Sequence, residues 1–204
     1  MSDVESFVRF CESEFGSAVM DREAAYIKQY VAADDRILDV GCGIGSLEER
    51  FTDYDIVGID ISEAMVKTAR QRTPAPFLVG DVRTLPARTD AVDAVVFVAT
   101  LEFISEIDAV LEEATRVLRP DGVLVAVILN TRSEYVQSNL QREGSYFQRM
   151  VHRDSEALAD RVLNAIDGTR EYFLGIADET VVESSDPTTA AVTAVVGTPN
   201  SNSK

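Results

Sequence analysis

The stretch Arg36-Ile-Leu-Asp-Val-Gly-Cys-Gly-Ile-Gly45 constrains the fold of this chain more than any other. It reads as a short buried strand ending in an acid, then a turn with glycine at every second position. Glycines without a Cβ take positive φ and let a ligand approach the backbone closely. A helix following such a loop aims free N–H groups at a polar or anionic ligand group. The spacing predicts that helix from Ser46 to about Phe51. The chain is therefore expected to build a nucleoside-type cofactor site around this loop.

On either side the pattern alternates strand and helix, which implies a parallel sheet with helices on both faces. Strands are expected at Arg36–Val40, Ile56–Ile59, Phe77–Val79, Ala94–Val98 and Val123–Leu129. Helices are expected at Glu63–Arg72, capped by Ser62, and at Ile107–Leu118. Upstream, Val4, Phe7, Val8, Cys11 and Phe15 mark a helix over 3–15 that Gly16 ends. A second helix is expected from Asp21, as N-cap, to Ala33. Residues 131–153 lack clean periodicity. A helix from Ser155 to Ile166 and strands at Arg170–Ile176 and Ala190–Val196 close the domain. The expected organisation is one domain over 1–197, with a helical cap (1–33), a cofactor-binding core (34–130) and a substrate-side segment (131–197). Residues 198–204 read as a disordered tail.

Charge narrows the partners. The chain of 204 residues carries 35 acidic residues, 16 arginines and 3 lysines, for a net charge of -16. A surface this negative resists phosphate backbones, which disfavours nucleic acid. Such acid-rich, lysine-poor composition resembles proteins of salt-loving archaea, where salt screens the mutual repulsion. No apolar run approaches the roughly 20 residues that span a bilayer, and no secretory leader is visible, so a cytoplasmic protein without membrane insertion is expected. Two cysteines and one histidine make a metal site improbable. Cys42 reads as a small residue tolerated in a tight turn.

The glycine loop is not a dinucleotide fingerprint. Gly41 and Gly43 fit G-x-G-x-x-G, but Ser46 holds the third position and the third glycine comes early, at Gly45. Asp39 precedes the first glycine and would repel a pyrophosphate, so a ligand with a cationic head is preferred. Asp39-Val-Gly-Cys-Gly-Ile-Gly45 resembles motif I of the class I S-adenosylmethionine-dependent methyltransferases. Ile56-Val-Gly-Ile-Asp60, Ser62-Glu-Ala-Met65, Gly80-Asp81-Val82, Asp93–Val98 and Glu113–Gly122 are similar to later family motifs, in order, over residues 34–130.

The resemblance implies a Rossmann-like three-layer α/β sandwich. Its mostly parallel seven-stranded sheet has order 3-2-1-4-5-7-6 with the last strand antiparallel, and two N-terminal helices precede it. It implies S-adenosyl-L-methionine as cofactor, held by Asp39, Gly41, Cys42, Gly43, Gly45, Asp60, Ile61, Met65, Asp81, Val82 and Val98. Asp60 corresponds to the acid that binds the ribose hydroxyls, and Asp81 to the one facing the adenine amino group. Tyr26, Tyr135, Tyr146 and Phe147 are expected on the substrate side. The family has no universal catalytic residue; Glu102 and His152 are the candidate bases. The expected activity is methyl transfer to a small-molecule or lipid-like acceptor. Ala99-Thr-Leu-Glu-Phe103 lacks the Asn/Asp-Pro-Pro-Tyr/Phe signature of enzymes that methylate adenine or glutamine amino groups. The alternative is a non-catalytic S-adenosylmethionine-binding regulator of the same fold. The N-terminal helices offer a homodimer face.

Overall fold

The computed structural model describes residues 3–200. Its centre is an eight-stranded sheet of order β3-β2-β1-β4-β5-β8-β6-β7. The first five strands in that order are β3 (Phe77–Val79), β2 (Asp55–Asp60), β1 (Arg36–Val40), β4 (Val92–Val98) and β5 (Leu118–Leu129). They are mutually parallel. β8 (Ala190–Pro199) inserts antiparallel between β5 and β6 (Ile166–Ala177). The expected seven-strand order is present, and β7 (Thr180–Val182) adds an eighth strand as a hairpin on β6. Among the described residues no helix is long and apolar enough to cross a membrane.

The central strands are apolar throughout because both faces are covered. On one face Ile37, Ala94, Val96, Val125 and Val127 pack under Val19, Ala24 and Ile27 of α2 (Glu14–Ile27). On the other, Leu38, Val95, Leu124 and Ala126 meet α4 (Ile107–Val117) and α6 (Ser155–Ala165). α3 (Glu63–Arg72) starts as expected, with Ser62 Oγ accepting from the Met65 N–H at 3.3 Å.

Five local expectations are corrected. The N-terminal break falls at Ser13, between α1 (Asp3–Glu12) and α2, because Ser13 Oγ accepts from the Gly16 N–H at 2.9 Å and caps α2. Gly16 therefore lies inside α2 and serves close approach, since a Cβ there would overlap the Phe10 carbonyl. Asp21 is likewise mid-helix and pairs with Arg50. After the glycine loop there is only a single 3₁₀ turn, Glu48–Arg50. The Arg50 N–H bonds Leu47 while its own guanidinium takes the Ser46 carbonyl, at 3.0 Å, that an α-helix would need. Within 131–153 there is a helix, α5 (Glu134–Gln141), capped by Ser133. Finally, Thr198 and Pro199 extend β8, and Asn200 Nδ2 donates to the Asn164 carbonyl at 2.8 Å. The tail expectation for 201–204 lies outside the described residues.

Candidate functional site

β1 and β4 are neighbours whose chain connections leave in opposite directions. The crevice at their C-terminal ends is where open α/β sheets bind ligands. The glycine loop fills that crevice. Gly41, Gly43 and Gly45 take φ of 84°, 54° and 79°, a region that side chains rarely tolerate. At Gly41 the demand is also spatial, because a Cβ would overlap the side chain of Thr100, just beyond β4.

Asp60 closes β2 and joins two loops. Its Oδ2 accepts from the Gly43 N–H at 3.0 Å and its Oδ1 from the Ser62 N–H at 2.8 Å. The Gly41 and Cys42 N–H groups meanwhile donate to the Ile59 carbonyl at 2.7 and 3.1 Å. Each carboxylate oxygen of Asp60 thus keeps acceptor capacity beyond the loop it fixes. Beside it Ile61 is 68% exposed, an apolar side chain held out at the crevice rim. Met65 and Val98 are half-buried, and Val82 is buried. Asp81 leaves β3 on the same edge and is gripped by Arg83, which reaches Oδ2 at 2.6 Å through Nη2 and Oδ1 at 3.0 Å through Nε. The Arg83 side chain, with its backbone N–H, pulls the Asp81 pKa down to about 2.

Behind the loop lies a feature that sequence reasoning missed. Asp39 (3% exposed) lies beside Glu48 (1% exposed), whose Oε1 abuts Gly58. Both oxygens of Glu48 lack a hydrogen-bond partner among the described residues. Burial, then the charges of Glu48 and Asp60, raises the Asp39 pKa. Burial first of all raises that of Glu48 to about 7. Two buried acids whose charges oppose one another do not both ionise readily. The only sequence hint was Glu48's position three residues past Gly45. Burial also pushes the Cys42 thiol up, with Asp39, Glu48 and Asp60 adding to the effect, so Cys42 stays protonated and fills space.

Rings gather among the residues expected on the substrate side. Phe15 and Tyr135 meet edge-on at 5.8 Å, Tyr135 and Phe147 at 6.1 Å, and Phe103 and Tyr146 pack at 4.8 Å. Tyr26 is not among them: its ring stacks on Phe173 at 4.0 Å and its hydroxyl binds Glu171, which commits it to packing α2 against β6. Glu102 is fully buried, with Oε1 accepting from the Leu129 N–H at the end of β5 and Oε2 unpartnered. His152 Nε2 donates to the Ile104 carbonyl at 2.8 Å, and its backbone N–H to that of Glu102 at 3.1 Å. Its ring braces the Glu102 turn.

Residues 38–126 match the family model described as a methyltransferase domain. The fold is that of the class I methyltransferases. The structure of a SAM-dependent methyltransferase from Thermotoga maritima, described as a possible histamine N-methyltransferase, superimposes with a TM-score of 0.78. It is 20% identical and the match covers 97% of this chain and 96% of that one. A trans-aconitate 2-methyltransferase of Variovorax paradoxus is 34% identical over 104 residues, covering 48% of this chain and 40% of the relative. A demethylmenaquinone methyltransferase of Renibacterium salmoninarum is 37% identical over 93 residues, covering 44% and 39%. The chain thus spans about two fifths of the length of these relatives.

The cofactor implied by the methyltransferase domain is S-adenosylmethionine, and the residues present fit it. A floor of two buried carboxyls, with both Glu48 oxygens unpartnered among the described residues, repels a pyrophosphate and suits a cationic ligand. Asp60 has acceptor capacity for a cis-diol, and Ile61 offers apolar surface to a base.

Proposed function

We propose that this methyltransferase domain transfers a methyl group from S-adenosylmethionine to a small-molecule acceptor. The observation that carries the reading is Asp60, which pins the glycine loop to the start of α3 and keeps free acceptor positions above the buried Asp39–Glu48 pair. Bound there, the cofactor supplies an electrophilic methyl group on sulfur. The glycine loop and the Asp39–Glu48 floor hold its amino-acid end, Asp60 the ribose and Asp81 the adenine amino group. The protein's remaining task is to align the acceptor and, where its nucleophilic atom carries a proton, remove it.

The ring cluster of Phe15, Tyr135 and Phe147 supports an acceptor with an apolar body. The named relatives act on acceptors as different as trans-aconitate and demethylmenaquinone, so the acceptor must be read from this chain's own residues. Calorimetry tests the cofactor assignment: S-adenosylmethionine and its demethylated product are expected to bind at micromolar strength, with little affinity for NAD. A labelled-methyl screen of cell extract tests transfer. Binding with no transfer to any acceptor would leave a regulatory cofactor-binding protein instead.

A further inference from the structure

A second buried acid, outside the proposed cofactor contacts, lies on α2. Glu23 of α2 is 4% exposed, and its Oε2, like that of Glu102, has no hydrogen-bond partner among the described residues. It follows Phe15 and Val19 at steps of eight and four, on the stripe that packs against the sheet. The cation whose charge acts on it is Arg50, whose guanidinium already bonds Asp21, Ser17 and the Ser46 carbonyl. Two carboxyls are thus buried, each with one oxygen that no described residue partners.

We propose that Glu23 and Glu102 form the acceptor's anchor, and that the acceptor is a small amine with an apolar body, arriving as an ammonium ion. The inference deepens the methyltransferase reading and rests on it. An ammonium group donates hydrogen bonds to both unpartnered oxygens and supplies the positive charge that two buried carboxyls lack. Phe15, Tyr135 and Phe147 pack on the same side, and aromatic faces add attraction for a cation. Glu102 follows Thr100, the residue over Gly41, by two positions, so the amine is held beside the glycine loop. There Oε2 of Glu102 takes one ammonium proton; the N–H electron pair stays on nitrogen and becomes the attacking lone pair. Proximity of the two acids is reflected in Glu23, whose pKa is raised to about 8 by burial and then by the charge of Glu102.

The test is binding without turnover. The full chain is saturated with S-adenosylhomocysteine and titrated in a calorimeter with phenethylamine, phenethyl alcohol and phenylacetate. Phenethylamine is expected to bind at least tenfold more tightly than the alcohol, and phenylacetate weakest of all. Glu23→Gln and Glu102→Gln are each expected to shrink the preference for amine over alcohol, and the double variant to abolish it, with S-adenosylhomocysteine affinity retained as the check on folding. Equal binding of the alcohol, tighter binding of the carboxylate, or an amine preference surviving both substitutions overturns the proposal. So does failure of phenethylamine to bind a chain that still binds S-adenosylhomocysteine. Failure of S-adenosylhomocysteine itself to bind would instead strike the methyltransferase reading.

Discussion

Replacing Glu102 with glutamine should change how stability depends on pH, and the structure gives sign and size. The carboxyl is fully buried, and desolvation, opposed by the Leu129 and Glu102 backbone N–H groups, lifts its pKa from 4.5 to about 7. The folded state therefore holds this proton more tightly than the unfolded chain does. Below pH 4.5 both states are protonated and the group costs nothing. As pH rises through the window from 4.5 to 7 the unfolded chain alone ionises, and stability falls, levelling off above 7. At 1.36 kcal/mol per unit the total is on the order of 3 kcal/mol. The amide introduced by Glu102→Gln would keep an oxygen for the Leu129 N–H but carries no titrating proton. It would also remove the charge that helps raise Glu23, a change of the same sign. Thermal melts of parent and Glu102→Gln at fixed salt, from pH 5 to 8.5, measure the difference directly. For a domain of this size the variant should gain roughly 6–12 °C on the parent between those limits. The constant cost of the substitution drops out, because only the change with pH is read. Parallel curves for the two proteins would refute the argument that this carboxyl is desolvated.

Three further outcomes follow from named contacts. Asp60→Ala removes the acceptor for the Gly43 and Ser62 N–H groups, and charged hydrogen bonds contribute about 1.5–3 kcal/mol each; S-adenosylmethionine should bind at least tenfold more weakly by calorimetry, and unchanged affinity would place the ribose elsewhere. Gly16→Ala drives a methyl group into the Phe10 carbonyl and should lower the melting temperature by forcing α1 and α2 apart; an unchanged melting temperature would show that the close approach is not needed. With a net charge of -16, the melting temperature should climb as KCl shortens the screening length from about 10 Å at 0.1 M to about 3 Å at 1 M, and a flat response would remove the halophilic reading of the composition.

The parts legible in the sequence were those where one residue type has few alternatives. Glycines at 41, 43 and 45 occur where φ must be positive, and Asp39, Asp60 and Asp81 stand at or just beyond the C-terminal ends of strands that short apolar runs announce. Lengths of elements were harder to read where a side chain competes with the backbone. Arg50 takes a carbonyl from the expected helix after the loop, and Ser13 moves the α1–α2 break three residues ahead of Gly16. Both contacts span only three or four residues, but serine and arginine occur in many other settings, so neither announces itself. β7 and α5 were short and weakly periodic, and their stability comes from neighbours already in place.

The least legible residues, Glu23 and Glu48, bear most directly on function. A glutamate in a helix or loop reads by default as solvated, because a buried carboxylate costs several kcal/mol unless something compensates. Glu23 nonetheless sits in register with Phe15 and Val19, and an acid on an apolar stripe is the one signal the sequence carried. Chemically similar acids then divide by surroundings. Glu48 lies beside Asp39 and under Gly58, behind the glycine loop, where a charged cofactor end is the natural complement. Glu23 is proposed to act with Glu102, where an ammonium group would take the place of the protons that burial favours. A cationic methyl donor held at the first pair leaves the second to the acceptor. That division is why the amine is expected on the α2 side, and why Glu23→Gln should weaken phenethylamine binding while Glu48→Gln should weaken S-adenosylmethionine instead. A Glu23→Gln variant that lost cofactor affinity and kept amine affinity would reverse the two assignments.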